Sequence, residues 1–134
     1  MALNQQQSAA APTRLERLNQ IAAALPEAVI EDYGRSGEHR VYKLGRKTFA
    51  YYVHDHHDDG RIALWCKSTL TEQFHLVDEE PENYFVPPYL GRSGWLGLRL
   101  DQAETVPWDA VEYLLQRAWM AQAPKRLQAA LVTD

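Results

Sequence analysis

The sequence contains a single cysteine, Cys66, in 134 residues. One thiol cannot form an internal disulfide, so the fold does not depend on an oxidising compartment. The sequence also has no apolar run long enough to cross a bilayer. Residues 1–12 are polar and alanine-rich, and they lack the basic start and the apolar stretch of a signal peptide. These absences together predict a cytoplasmic protein that makes no contact with a membrane.

An excess of basic residues is also missing. Lysine and arginine number 14 against 18 aspartate and glutamate residues, which gives a formal net charge of −4. Proteins that hold nucleic acid mainly by neutralising its phosphates are usually basic. The total charge therefore counts against such a role, and the distribution of charge along the chain becomes the more informative property.

Apolar residues make up 46% of the chain, which is enough for the core of a single domain. Residues 1–12 have no apolar face to bury, so they predict a disordered tail in front of one domain over residues 13–134. Thr13 and Glu16 match a capping box. They predict the start of an amphipathic helix that Pro26 ends.

Runs of alternating apolar and polar residues predict the strands that follow. Gly45 and Arg46 predict a tight hairpin turn, because glycine readily takes a positive φ at the first central position. A short helix is expected after Thr69, a long one over residues 105–121 and a last one after Pro124. The predicted strands cover residues 28–30, 39–44, 47–54, 61–67 and 95–101, with a further short strand over 84–86.

Strands joined by tight hairpins are antiparallel, and helices on one face of such a sheet define the α+β class. We therefore predict an α+β fold with a single curved antiparallel sheet of about five strands and N- and C-terminal helices packed on it. Within the third strand, Phe49, Tyr51 and Val53 are predicted to share one face.

In the fourth strand Cys66 alternates with apolar residues, which predicts a buried core thiol, since a nucleophilic cysteine needs an exposed thiolate and a paired base.

Three stretches of the sequence occur in the order found in a known family. They are residues 47–51 (KTFAY) with 63–67 (ALWCK), residues 87–90 (PPYL) with 94–101 (GWLGLRLD), and residues 118–119 (AW) with 123–127 (APKRL). This pattern resembles the MmcQ/YjbR family of small bacterial domains. The resemblance implies an α+β fold similar to the CyaY and secretion-chaperone folds, and a DNA-binding role without agreed catalytic residues. Where that family usually has a tyrosine before the Ala-Pro-Lys stretch, this chain has Trp119.

Basic residues are concentrated in two segments. Residues 33–50 carry five cations against one acid, and residues 113–133 carry three cations and no acid. If folding brings the segments together, the resulting patch would hold nucleic-acid phosphates, with Tyr42, Tyr51 or Trp95 stacking on bases beside it. The alternative is an ordinary solvated hairpin and helix end. The candidate nucleic-acid-binding residues are Arg40, Lys43, Arg46, Lys47, Arg117, Lys125 and Arg126.

A histidine-rich turn, residues 54–60, carries the residue types that bind zinc and other divalent ions. The candidate ligands are His54, His56 and His57. A metal site needs three or four converging ligands, however, and an Asp-Asp-Gly sequence also favours a plain polar turn.

A loop punctuated by glycine and proline, residues 87–95, offers a second candidate site. Tyr89, Arg92 and Trp95 are its candidate pocket residues, because binding residues often lie on loops above a rigid sheet. The alternative is that these aromatic rings close the edge of the core.

No motif in the sequence specifies a reaction, and no cofactor is predicted. Ser93 lacks the G-x-S-x-G context of a nucleophile elbow, and the nearby glycines do not match a phosphate-binding loop. The preferred interpretation is a non-enzymatic binding domain whose partner is DNA. The alternatives are an adaptor or chaperone-like module with a protein partner, and a small metal protein or enzyme that uses residues 54–59.

Overall fold

A computed structural model of the chain describes residues 13–34, 39–56, 60–101 and 106–132. The predicted tail, residues 1–12, lies outside these ranges. The helices in the described ranges are α1 (Arg14–Ala23), α2 (Leu70–Glu79), α3 (Trp108–Gln122) and α4 (Lys125–Val132). The strands are β1 (Ala28–Tyr33), β2 (His39–Leu44), β3 (Lys47–His54), β4 (Ile62–Cys66), β5 (Tyr84–Phe85) and β6 (Leu96–Arg99).

The first two predicted helices begin at threonine caps. The Thr13 hydroxyl accepts from the Glu16 amide at 3.1 Å, and the Glu16 carboxylate accepts from the Thr13 amide at 2.8 Å, so the capping box of α1 is confirmed. At α2 the Thr69 hydroxyl accepts from the Glu72 amide at 3.1 Å, but the Glu72 carboxylate accepts instead from the Ser68 hydroxyl at 2.6 Å. Helix α2 therefore has the threonine half of a capping box without the carboxylate half.

The strands form one antiparallel sheet in the order β1-β2-β3-β4-β6-β5. The α+β prediction is confirmed, with six strands in the described residues where about five were expected. The two-residue β5 pairs with β6 at the edge of the sheet, which confirms the short strand predicted over residues 84–86.

Helices α1, α3 and α4 cover one face of the sheet, here called the inner face, and Leu76 and Val77 of α2 pack against the same core. The core beneath them includes Leu18 of α1, Leu64 and Cys66 of β4, and Trp119 of α3, each buried completely. The predicted burial of Cys66 is thus confirmed. No helix in the described residues is long and apolar enough to span a membrane.

A bulge in β3 contradicts the predicted alternation. Tyr42 pairs with Ala50 but Lys43 pairs with Thr48, which leaves Phe49 as an extra residue. A bulge places consecutive side chains on the same face. Phe49 accordingly joins Ala50 in the inner core, and the prediction that it shares a face with Tyr51 and Val53 was wrong.

The opposite face of the sheet, here called the outer face, carries a smaller apolar cluster. It consists of Val53, Ala63, Trp65, Phe85 and Trp95, with Tyr51 and Leu90 packed against it. The Phe85 ring lies so close to Gly97 that a β-carbon there would come within 2.5 Å of it. A glycine at this register position therefore allows Phe85 to cover the outer face. The segment that leads from β5 to β6 covers part of the same face.

Candidate functional site

The tip of the β2–β3 hairpin and the corner between α3 and α4 form two walls of a cleft of about 460 Å³. We call it the basic cleft. Arg46 and Lys47 lie on the hairpin wall and Arg126 on the helical wall, while Glu27 is the acid among the lining residues. The cleft therefore carries more positive than negative charge, although the whole chain is acidic.

Local structure holds the hairpin tip against the helices. Gly45 has a φ of 62°, which allows the tight turn that the sequence predicted, and Leu44 pairs with Lys47 across it. The Gln122 side chain at the end of α3 donates to the Thr48 carbonyl at 3.1 Å. This bond ties the start of β3 to the end of α3, beside the cleft.

The acid at the cleft, Glu27, has an unusual backbone conformation. Its φ is 59°, in the left-handed region of backbone conformation that residues other than glycine, asparagine and aspartate seldom adopt. Its carboxylate lies 3.4 Å from the Arg126 guanidinium, and both side chains are well exposed. An exposed pair of this kind contributes roughly 0–1 kcal/mol, so Arg126 can exchange Glu27 for another anion at little cost.

Two predicted members of the basic patch lie elsewhere. Arg40 is within 3.2 Å of the Asp32 carboxylate, and Lys43 is within 3.4 Å of the Glu31 carboxylate. Both acids belong to β1, which pairs with β2. The middle of β2 is therefore largely neutralised by its neighbouring strand, and neither cation lines the basic cleft.

The remaining predicted cations flank the cleft. Lys125 is exposed in the first turn of α4, beside Arg126. Arg117 lies one turn before the end of α3, over the ring of Tyr113. It lines an adjoining depression of about 180 Å³ together with Lys67, a cation that sequence reasoning missed. Lys67 follows β4, and a single lysine after a strand does not indicate a binding role in the way that a cluster of cations does.

The three aromatic residues expected to stack on bases are not at the cleft. Tyr42 is fully buried and its hydroxyl donates to the Asn19 side chain at 2.7 Å, and burial raises its pKa well above the usual range. Trp95 is buried in the outer cluster, where its ring centroid lies 5.7 Å from that of Tyr51. The basic cleft thus offers charge to a ligand without a stacking platform from these rings.

The loop over residues 87–95 forms part of a second cavity, here called the aromatic cavity. It encloses about 210 Å³ on the outer face, between the sheet and residues 88–90. Tyr89 is the predicted pocket residue that lines it, together with Tyr51 and Trp65 from the sheet. Trp95 lies buried beneath, and Arg92 is exposed in a separate shallow groove.

The histidine-rich turn does not bring metal ligands together in the described residues. β3 ends at His54, whose amide donates to Nδ1 of His39 at 3.1 Å. Asp55 then turns the chain with a φ of 55°, and the ring of His56 packs against Trp65 at 5.0 Å. Within the described ranges there is no group of three potential ligands, and the third candidate, His57, lies outside them.

We expect the Cys66 thiol to be unreactive in the folded protein. Burial raises the pKa of this thiol to about 12, and the nearby Glu72 carboxylate adds to the shift. Labelling with Ellman's reagent at neutral pH should be on the order of 100-fold slower in the native state than in urea. Because the unfolded thiol loses its proton first, stability should fall as pH rises from 9.0 towards about 12. Rapid stoichiometric labelling without denaturant would contradict the burial of this side chain.

Comparison with known proteins supports a family assignment. No curated protein matches the sequence. The crystal structure of Deinococcus radiodurans protein DR2400, which contains a DUF419 domain, is similar over 88% of this chain and 87% of that chain, with a TM-score of 0.64. At 19% sequence identity, this similarity shows a shared fold. The YjbR family model matches residues 23–121, most of the chain. The chain therefore belongs to the YjbR family.

Proposed function

We propose that this domain is a non-enzymatic cytoplasmic protein that binds nucleic acid by its phosphate backbone, through the basic cleft. The observation that carries the proposal is the convergence of Arg46, Lys47 and Arg126 on one cleft from segments about 80 residues apart in the chain. Guanidinium and ammonium groups are the usual partners of backbone phosphates. Adjacent phosphates along a strand would be shared between the hairpin tip and the helical corner.

The position of the cations on α4 adds to this argument. Lys125 and Arg126 lie in the first turn of that helix, where the helix dipole is positive. Cations are unfavourable at this end, whereas an anion is stabilised there. A bound phosphate would relieve the repulsion between these side chains and the helix terminus. Cations at the C-terminus of a helix would instead stabilise it, but Lys125 and Arg126 lie at the N-terminus of α4.

The expected recognition is independent of base sequence. The cleft presents cations, and the rings of Tyr42, Tyr51 and Trp95 lie elsewhere, so base stacking beside it is not expected. Binding by phosphate contacts alone typically has a dissociation constant of about 10⁻⁴–10⁻⁶ M at physiological salt. With three contacts, log K should fall with log salt with a slope of about −3.

Fluorescence anisotropy of a labelled duplex of about 20 base pairs, titrated at salt concentrations from about 0.05 to 0.2 M, tests the proposal. We expect measurable binding at the lowest salt, a slope near the value above, and similar affinities for duplexes of unrelated sequence. Absence of binding at the lowest salt would refute the proposed function. Binding that does not change with salt would show that phosphates are not the ligand.

Replacing Glu27 by asparagine should tighten binding by about 2- to 5-fold, because it removes the acid that competes with phosphate for Arg126. Asparagine also tolerates a positive φ better than glutamate, so the fold should be retained or slightly stabilised. Glu82→Asn, the same change at an exposed loop residue outside the cleft, is the control. Equal gains in the two variants would mean that only the net charge matters.

Exposed apolar side chains favour a second candidate function, an adaptor for a protein partner. Leu70 and Phe74 lie one turn apart on α2 and are 59% and 66% exposed, and Val86 after β5 is 51% exposed. Large exposed apolar patches mark interaction sites. The double variant Leu70→Glu, Phe74→Glu should lose a specific protein partner while nucleic-acid binding is unchanged. Loss of both activities would argue against separate surfaces.

A further inference from the structure

The aromatic cavity has the size and lining of a small-molecule site. Its volume of about 210 Å³ is below the roughly 300–1,000 Å³ of sites for drug-sized ligands, so it has room for one ring or two fused rings. The ring centroids of Tyr51 and Trp65 are 6.3 Å apart, and those of His56 and Tyr89 are also 6.3 Å apart. Rings at these separations touch each other edge-to-face, so the four side chains give the cavity an aromatic lining against which a flat aromatic ligand can pack.

The indole N–H of Trp65 has an unused hydrogen-bonding capacity. Trp65 lines the cavity and is 6% exposed, and its Nε1 lies without a hydrogen-bond partner in the described structure. The fully buried Trp119 differs, since its indole N–H donates to the Pro26 carbonyl at 3.0 Å. Buried donors in native proteins are almost always paired, and an unpaired one calls for an explanation. An acceptor supplied by a ligand in the cavity would pair this donor.

Tyr89 is held in a strained conformation beside the cavity. Its φ is 68°, which is unusual for a bulky side chain, and it is 80% exposed. So little burial cannot offset much of the backbone strain. Residues with strained backbone conformations concentrate at ligand-binding sites, where contacts with the ligand offset the free-energy cost of the strain.

We propose that the aromatic cavity binds a small planar aromatic molecule that carries a carbonyl or a comparable hydrogen-bond acceptor. The rings of Tyr51 and Trp65 contact the face and edge of the ligand, the acceptor pairs with the Trp65 N–H, and Tyr89 covers the ligand from the loop. The cavity lies on the outer face, whereas the basic cleft involves the helices of the inner face, so this site is independent of the proposed nucleic-acid function.

Titration with acetophenone, followed by the indole N–H signals in ¹H–¹⁵N correlation spectra, tests this site. The chain has four tryptophans, and a Trp65→Phe variant assigns the relevant signal. We expect a saturable downfield movement of the Trp65 indole proton, while the Trp119 signal stays in place because its N–H is already bonded. Ethylbenzene, which has a similar shape without the carbonyl, should bind at least about 10-fold more weakly and leave the Trp65 proton in place.

Two variants separate ligand binding from folding. Tyr89→Gly removes the ring and relieves the positive φ, so the protein should remain at least as stable while affinity for acetophenone falls about 10-fold. Val53→Trp should fill the cavity and abolish binding, and Val86→Trp, the same change outside it, should not. The other indole signals report whether each variant is folded.

The proposal is overturned by any of three results. The first is the absence of a saturable Trp65 shift up to the solubility limit of acetophenone. The second is binding of unchanged strength in folded Tyr89→Gly or Val53→Trp protein. The third is equal affinity for acetophenone and ethylbenzene, which would show that the cavity selects apolar shape and not an acceptor.

Discussion

Replacing Arg46 and Lys47 together by glutamate is expected to weaken binding of duplex DNA on the order of 100-fold at about 0.05 M salt. Both residues line the basic cleft, so the change removes two of its three cations and adds two carboxylates near the remaining Arg126. The slope of log K against log salt should fall from about −3 to about −1, since each lost phosphate contact removes nearly one unit. Both quantities come from the anisotropy titration.

The matched control is the double variant Lys43→Glu, Arg92→Glu. It changes the net charge of the protein by the same amount, but neither residue lines the cleft. If long-range charge alone governed binding, both double variants would lose affinity equally. We expect the control to lose no more than about 3-fold and to keep most of its salt slope. Equal losses would place the nucleic acid somewhere other than the cleft.

Replacing Trp119 by alanine is expected to cost about 3–5 kcal/mol of unfolding free energy, the largest stability effect that we predict. The side chain is completely buried between the sheet and the helices. Its indole N–H donates to the Pro26 carbonyl at 3.0 Å, so truncation would also leave that carbonyl without its partner. Urea unfolding monitored by circular dichroism measures the change.

Trp108→Ala is the control for this prediction, because Trp108 is only partly buried and its ring packs against the Arg17 guanidinium at 4.6 Å. The Trp108→Ala substitution should lower the unfolding free energy by no more than about 1–2 kcal/mol. Equal costs at the two positions would mean that Trp119 is not the anchor of the inner core.

Much of the fold could be predicted because local chemistry and periodicity agree. The Thr13 capping box, the Gly45 turn and the three leucines of residues 96–100 all occur as their patterns indicate. The bulge at Phe49 could not be predicted, because an extra residue in one strand depends on how the neighbouring strand packs. The short strand predicted over residues 84–86 is present as β5, which covers Tyr84–Phe85.

The site was predictable in part. Clustering of cations marked two segments but could not say whether folding brings them together, and Arg46 and Arg126 line one cleft in the structure. The neutralisation of Arg40 and Lys43 depends on the register between β1 and β2, which charge counting does not contain. The role of Trp65 in the aromatic cavity likewise follows from strand pairing, since Tyr51 and Trp65 are register partners on β3 and β4.

The basic cleft and the aromatic cavity are separated along β3. Lys47 lies at the start of that strand and Val53 near its end, about 20 Å away at the usual rise of 3.3 Å per residue. They also use opposite faces of the sheet. A ligand in one site is therefore not expected to contact the other, and variants of each can serve as controls for the other.

The most direct test of the basic cleft is a backbone amide NMR titration of the ¹⁵N-labelled protein with a short DNA duplex at low salt. We predict that the largest shifts fall within residues 44–47 and 121–127, the two segments that contain the walls of the cleft, and that they disappear as salt is raised. Shifts concentrated on β1, on α2 or around the aromatic cavity, with residues 44–47 unchanged, would contradict the proposed function.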